Sequence, residues 1–175
     1  MRGLIASPPF PKLQTMILRT EDFKCEASIP GLLPESDLAS PMNEVVRETV
    51  EGYIEKYEPQ FIRDFGMSQE EYDNMDEFAS NDEQQQNDDE MKGRLNLIRF
   101  SLSHYVAFHY FRVQTNALIG GVALQSENGS RVSLERTLVL LWNQMVSNNK
   151  ELHNRIYGDN EPDTEIFKEI NIWNI

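Results

Sequence analysis

One segment constrains this chain more than any other. From Leu95 to Val113 it reads LNLIRFSLSHYVAFHYFRV, with apolar and aromatic residues on every side of a helix. Arg99, Arg112, two serines (Ser101, Ser103) and two histidines (His104, His109) interrupt the pattern. A helix that is hydrophobic all round is a buried helix. The helical stretches before and after it are apolar on one face only. The expected fold is therefore all-α: a small helical bundle around one buried central helix, with arms and loops outside it.

Composition sets the limits of such a body. The chain has 175 residues, 29 acids against 16 bases, and a net charge of −13. Mean hydropathy is −0.53, so the core is modest for the length, and about 100 residues should do the packing. The acidic balance disfavours direct nucleic-acid grip, which needs Lys and Arg to neutralise phosphates. It equally disfavours an anionic membrane surface. No apolar run approaches the roughly 20 residues of a membrane span. The start, MRGLIASPPFPK, is broken by Pro8, Pro9 and Pro11 and does not read as a secretory signal. Cys25 is the only cysteine, which rules out a disulfide within one chain; it reads as a small hydrophobe. A reducing compartment, or a particle assembled there, is expected.

The chain divides into an N-terminal arm (1–40), a helical domain (41–158) and a C-terminal tail (159–175). Five of the eight prolines lie in the arm. Within it, Leu13 to Arg19 could form a short strand and Glu21 to Lys24 one helical turn. Ser40 as N-cap and Pro41 at the first position open a helix. Its stripe is Val46, Val50, Tyr53, Ile54, Tyr57, Phe61 and Phe65. Pro59 should kink or break that helix near Tyr57-Glu58, and Gly66 should end it. Ser68-Gln69-Glu70-Glu71 is a capping-box pattern opening a short second helix. Residues 74–90 carry seven acids and a glutamine run, and read as an acidic loop. The central helix should run from about Asp88 to Asn116. Residues 117–132 contain Gly120-Gly121 and Asn128-Gly129, turn signals that suggest a β-hairpin loop. A last helix from Ser133 has the stripe Leu134, Leu138, Leu141, Trp142, Met145, Leu152 and Ile156, closed by Gly158.

No constellation here carries chemistry. His104 and His109 are five apart and do not share a helical face, His153 is on another helix, and there is no HExxH or cysteine pair. No metal, cofactor or catalytic residue is expected. The histidines read as hydrogen-bonded core or interface groups. The carboxylate pairs lie in polar sequence, where nothing would separate their pKa values. GxSxG, P-loop and GxGxxG motifs are absent. Arg94, Arg99 and Arg112 could pair with Glu48, Glu51 and Glu55, or bridge neighbouring copies. Phe108 and Phe111 lie on a different face from Leu102, Tyr105 and His109, so Arg99, Phe108, Phe111 and Arg112 form a candidate subunit interface. In the tail, Ile166, Phe167, Ile170, Ile172, Trp173 and Ile175 are apolar. Burying six such side chains gives roughly 9 to 18 kcal/mol. Ordering about ten residues costs roughly 10 to 20 kcal/mol, so a single tail docking alone is marginal.

Three stretches together resemble a known family. They are Met16-Ile17-Leu18-Arg19-Thr20-Glu21-Asp22-Phe23-Lys24; then Tyr53 to Phe61 with Phe65-Gly66; then Ser103 to Arg112 with Gly120-Gly121-Val122 and Trp142-Asn143-Gln144-Met145-Val146. In pattern and order, over about Met16 to Gly158, they are similar to small proteins of phages and prophages of Bacteroides-type bacteria. Those look like head–tail connector (adaptor) proteins of tailed phages, crAss-like phages included. The acidic insert and the apolar-ended tail are departures from the pattern of those proteins.

The resemblance implies a non-enzymatic virion protein at the neck, a homo-oligomeric ring of about twelve copies. The ring would bind the portal and further neck or tail rings, and pass DNA through its lumen without specific binding. It also implies portal contact through Phe167, Ile170, Ile172, Trp173 and Ile175. Gly120, Gly121, Asn128 and Gly129 would face the lumen or the next ring. An acidic wall suits a channel that must not retain DNA. The rival expectations are a tail-completion or stopper protein, and a non-enzymatic helical regulator with a single partner.

Overall fold

The computed structural model describes residues 16–32, 41–80, 88–119 and 134–171. They form four α-helices: α1 (Pro41–Phe65), α2 (Gln69–Ser80), α3 (Asp89–Ile119) and α4 (Leu134–Tyr157). Three short 3-10 turns lie outside them, at Thr20–Asp22, Cys25–Ala27 and Glu165–Phe167. Among the described residues there is no strand.

α3 is the axis of the body. It packs against α4 along one side and against α1 on another, with α2 and the N-terminal turns also touching it. Leu95, Ile98, Leu102, Tyr105, Val106, Ala107 and Phe108 are all buried, and so are Ser101, Ser103, His104 and His109. The expected all-round burial holds over residues 101–109, whereas Phe100 and Val113 are exposed, 39% and 44%. The Asp88 carboxylate caps α3, accepting from the Met91 amide at 3.0 Å.

α1 runs without a break through Pro59, so of the expected kink or break the break does not occur. Proline removes one helical hydrogen bond. Here Tyr57 and Ile54 before it, and Phe61 and Phe65 after it, are all buried in the same core, which holds the helix across the gap. Gly66 ends α1 as expected, at φ 83, with the Met67 amide reaching back to the Ile62 carbonyl at 3.2 Å. The capping box also forms: the Ser68 amide donates to Glu71 Oε2 at 2.8 Å, and the Glu71 amide to Ser68 Oγ at 3.3 Å.

Four expectations need correction. Residues 74–80 are not loop: α2 continues to Ser80 and buries Met75, Phe78 and Ala79 beside Tyr72. Their spacing of three and four is a helical stripe that the surrounding acids disguise. Residues 117–119 belong to α3, not to a hairpin, and the rest of that expected hairpin lies outside the described residues. No strand forms over residues 16–19. Cys25 is exposed, not a buried hydrophobe.

Candidate functional site

A subset of the polar side chains, Glu58 and Asn149 among the buried ones, holds two segments of the chain's own backbone. The first is the N-terminal segment 16–32. Ile17, Leu18, Phe23, Ala27 and Ile29 are buried. Above the Ile17-Leu18 peptide sits Glu58, which is only 1% exposed. Its Oε1 accepts from the Ile17 amide at 2.8 Å and from the Tyr72 hydroxyl at 2.7 Å, and its Oε2 accepts from the Leu18 amide at 3.2 Å. Arg99 of α3 completes the grip: its Nε donates to the Ile17 carbonyl at 3.0 Å and lies 3.7 Å from the Asp22 carboxylate. The Arg19 guanidinium donates to the Ala79 carbonyl at the end of α2, at 2.8 Å.

Burial raises the Glu58 carboxyl above the usual carboxylate range. The hydrogen bonds from Tyr72, Ile17 and Leu18 pull the other way, and nearby Asp76 adds to the rise. The Tyr72 hydroxyl is pushed up by burial and by Glu58.

The second is the tail. Gly158, at φ 79, ends α4 and lets the chain turn back. Ile166 and Phe167 then bury themselves in the body. The Phe167 ring lies 5.7 Å from Phe65 and 5.3 Å from His153, centroid to centroid. α4 holds the tail backbone with neutral side chains. Asn149 Nδ2 donates to the Ile166 carbonyl at 2.9 Å, and the Trp142 indole to the Lys168 carbonyl at 2.8 Å. Asn143 pairs with both polar groups of Ile170, donating to its carbonyl at 3.0 Å and accepting from its amide at 2.8 Å. Thr164 Oγ1 donates to the Asp64 carbonyl at 2.7 Å, which joins the tail to α1.

Between the two seats lies an aromatic cluster. His109 stacks on Tyr57 with centroids 4.0 Å apart, and Tyr105 and Phe108 meet it edge-on. Among the described residues neither of its ring nitrogens has a hydrogen-bond partner, which corrects the expectation of a hydrogen-bonded histidine. Burial, then Arg112 and Lys56, lower it to about 4. His104 behaves as expected: its Nδ1 lies 2.8 Å from the Phe100 carbonyl.

The expected interface residues are mostly taken up within the chain. Phe108 is buried against Trp142, ring centroids 4.7 Å apart, so α4 supplies the cover assigned to a neighbouring copy. Arg99 is engaged with Ile17 and Asp22. The pairing of arginines with Glu48, Glu51 and Glu55 also fails, because Arg94 bonds Glu90 and Glu51 bonds Arg47. Phe111 packs on the core and is partly exposed, while Arg112 is exposed with its guanidinium 5.8 Å from the Phe108 ring. Among the described residues of the tail, Phe167 is core and Ile170, 37% exposed, is the large apolar side chain turned outward. Ile172, Trp173, Ile175, Gly120, Gly121, Asn128 and Gly129 lie outside the described residues.

Glu58, Asn149 and Asn143 were not singled out from the sequence. A signal existed for two of them. Glu58 lies four residues after Ile54, and Asn149 four after Met145, each inside an apolar stripe. A polar residue on a buried stripe needs a hydrogen-bond partner.

Among the described residues, no group of His, Cys, Asp and Glu could hold a metal ion, and no helix is long and apolar enough to cross a membrane. No family model, curated protein or solved structure matches the chain.

Proposed function

We propose that this chain is a non-enzymatic structural adaptor of a tailed-phage neck, which joins copies of itself into a ring and contacts the portal through its C-terminal end. One observation carries the reading: the buried Glu58, Trp142 and Asn149 and the partly buried Arg99 and Asn143 commit side-chain hydrogen bonds to backbone of the chain's own terminal segments. They do not converge on a shared cavity. A protein built this way positions arms. The net charge of −13 suits a wall past which DNA must slide, because it repels phosphate. The resemblance of Met16–Lys24, Tyr53–Gly66 and Ser103–Arg112 to connector proteins supplies the identity of the assembly.

On this reading the seated tail leaves fewer of its residues to the portal. Ile166 and Phe167 are consumed by the chain's own core, so the contact falls to Ile170 and the residues after it. The test is the mass of the protein in solution, alone and with portal, for the full chain and for a chain ending at Asn171. A ring-sized species, or a monomer that associates with portal, supports the adaptor. Loss of portal binding on removing residues 172–175, with folding intact, assigns the contact to them. A strict monomer indifferent to portal would favour a helical regulator with a single partner.

A further inference from the structure

We infer that the N-terminal segment 16–29 is a releasable latch, and that Glu58 is its catch. The segment is a unit of its own. Its backbone–backbone hydrogen bonds close small local turns: the Asp22 amide to the Arg19 carbonyl, Ala27 to Lys24 and Ser28 to Cys25. Attachment to the helices runs through side chains, and it concentrates on one peptide. Glu58 takes the Ile17 and Leu18 amides, and Arg99 takes the Ile17 carbonyl from the opposite side.

Two features set this attachment apart from ordinary core packing. The catch is a carboxylate withdrawn from water, which holds only while its three hydrogen-bond donors stay in place. The segment also carries backbone strain: Cys25 has φ 53, in the left-handed region that residues with a side chain rarely adopt. Release relieves that strain, returns the carboxylate to water and uncovers the seats of Ile17, Leu18, Phe23, Ala27 and Ile29. Units of this kind open as a group, below the free energy of global unfolding. The latch is independent of the adaptor reading, since it rests only on contacts within one copy.

The experiment is residue-resolved amide hydrogen exchange on the full chain. Wild type is compared with Glu58→Gln, which places an amide N–H against a backbone N–H, and with Tyr72→Phe, which removes one hydrogen bond and keeps the carboxylate. The Ile17 and Leu18 amides should exchange faster by about tenfold or more in Glu58→Gln, and by less in Tyr72→Phe. In wild type the Ile17 and Leu18 amides should already be at least about tenfold less protected than the slowest amides of α3 and α4. Trypsin cleavage after Arg19 and Lys24 should quicken in parallel. Unchanged exchange at Ile17 and Leu18 would overturn the proposal. So would Ile17 and Leu18 amides as protected in wild type as the slowest amides of α3 and α4, because the segment would then open only with the whole molecule. If Glu58→Gln fails to fold, Tyr72→Phe decides between the same outcomes.

Discussion

The two terminal segments are seated on the same helical body by different chemistry. The N-terminal segment is held by ions: a buried carboxylate and a guanidinium on either side of one peptide. The tail backbone is held by neutral amides and an indole spread over Ile166, Lys168 and Ile170, and the ion pair beside them, Lys150 to Glu169 at 3.5 Å, is solvent-exposed and weak. Neutral donors and acceptors cost little to desolvate compared with a charge. A spread set of bonds also fails piecemeal, whereas a concentrated one fails together. The tail is therefore the graded attachment, and the N-terminal segment the switch-like one.

Substitutions can break this contrast, and the largest effect belongs to the tail. Phe167→Ala empties a space between Phe65 and His153, and should cost about 3 to 5 kcal/mol in denaturant unfolding. Glu58→Ala leaves two backbone amides and the Tyr72 hydroxyl without acceptors, and should cost about 2 to 4 kcal/mol in the same assay. Asn143→Ala removes a pair of bonds at an exposed stretch and should cost about 1 kcal/mol, with faster exchange at the Ile170 amide and little change at Ile17. An effect of Asn143→Ala as large as that of Glu58→Ala would erase the distinction between the seats.

Protons should act on the two interiors in opposite directions. The Glu58 carboxyl is raised above 4.5, so the folded state holds its proton more tightly than the unfolded chain does. Its contribution is fully present below 4.5 and is lost as pH rises through the folded value. The stability gap between wild type and Glu58→Gln, in which this titration is absent, should thus widen on acidification. A gap that narrows would mean that the three hydrogen bonds outweigh burial. His109 is lowered from 6.5 to about 4, so its contribution is present above 6.5 and is lost as pH falls from there toward 4. His109→Phe should flatten that acid limb in unfolding curves measured at successive pH values. This is the smallest of the expected effects.

The helices were legible because their signals are local. The Ser68–Glu71 box, Gly66 and Gly158 as terminators, and the all-round apolar α3 can each be read within a few residues. α2 was cut short because acids at Asp76 and Glu77 mask a buried set at Met75, Phe78 and Ala79. Apolar area set against ordering entropy makes a lone tail marginal. That balance left out the side-chain hydrogen bonds from Trp142, Asn143 and Asn149, and the link from Thr164 to Asp64.

Sequence by itself determined that this chain makes an acidic helical body around α3, since periodicity and caps act over one or two turns. Only the tertiary structure decided where the terminal segments go. Ile17 and Glu58 are 41 residues apart, and Ile17 and Arg99 are 82 apart. No local pattern records which buried carboxylate will meet which free amide. That choice is made when the helices pack and each buried polar group must find a partner. For the same reason Phe108 and Arg99, which read as surface for another copy, are occupied by Trp142 and by the N-terminal segment of their own chain.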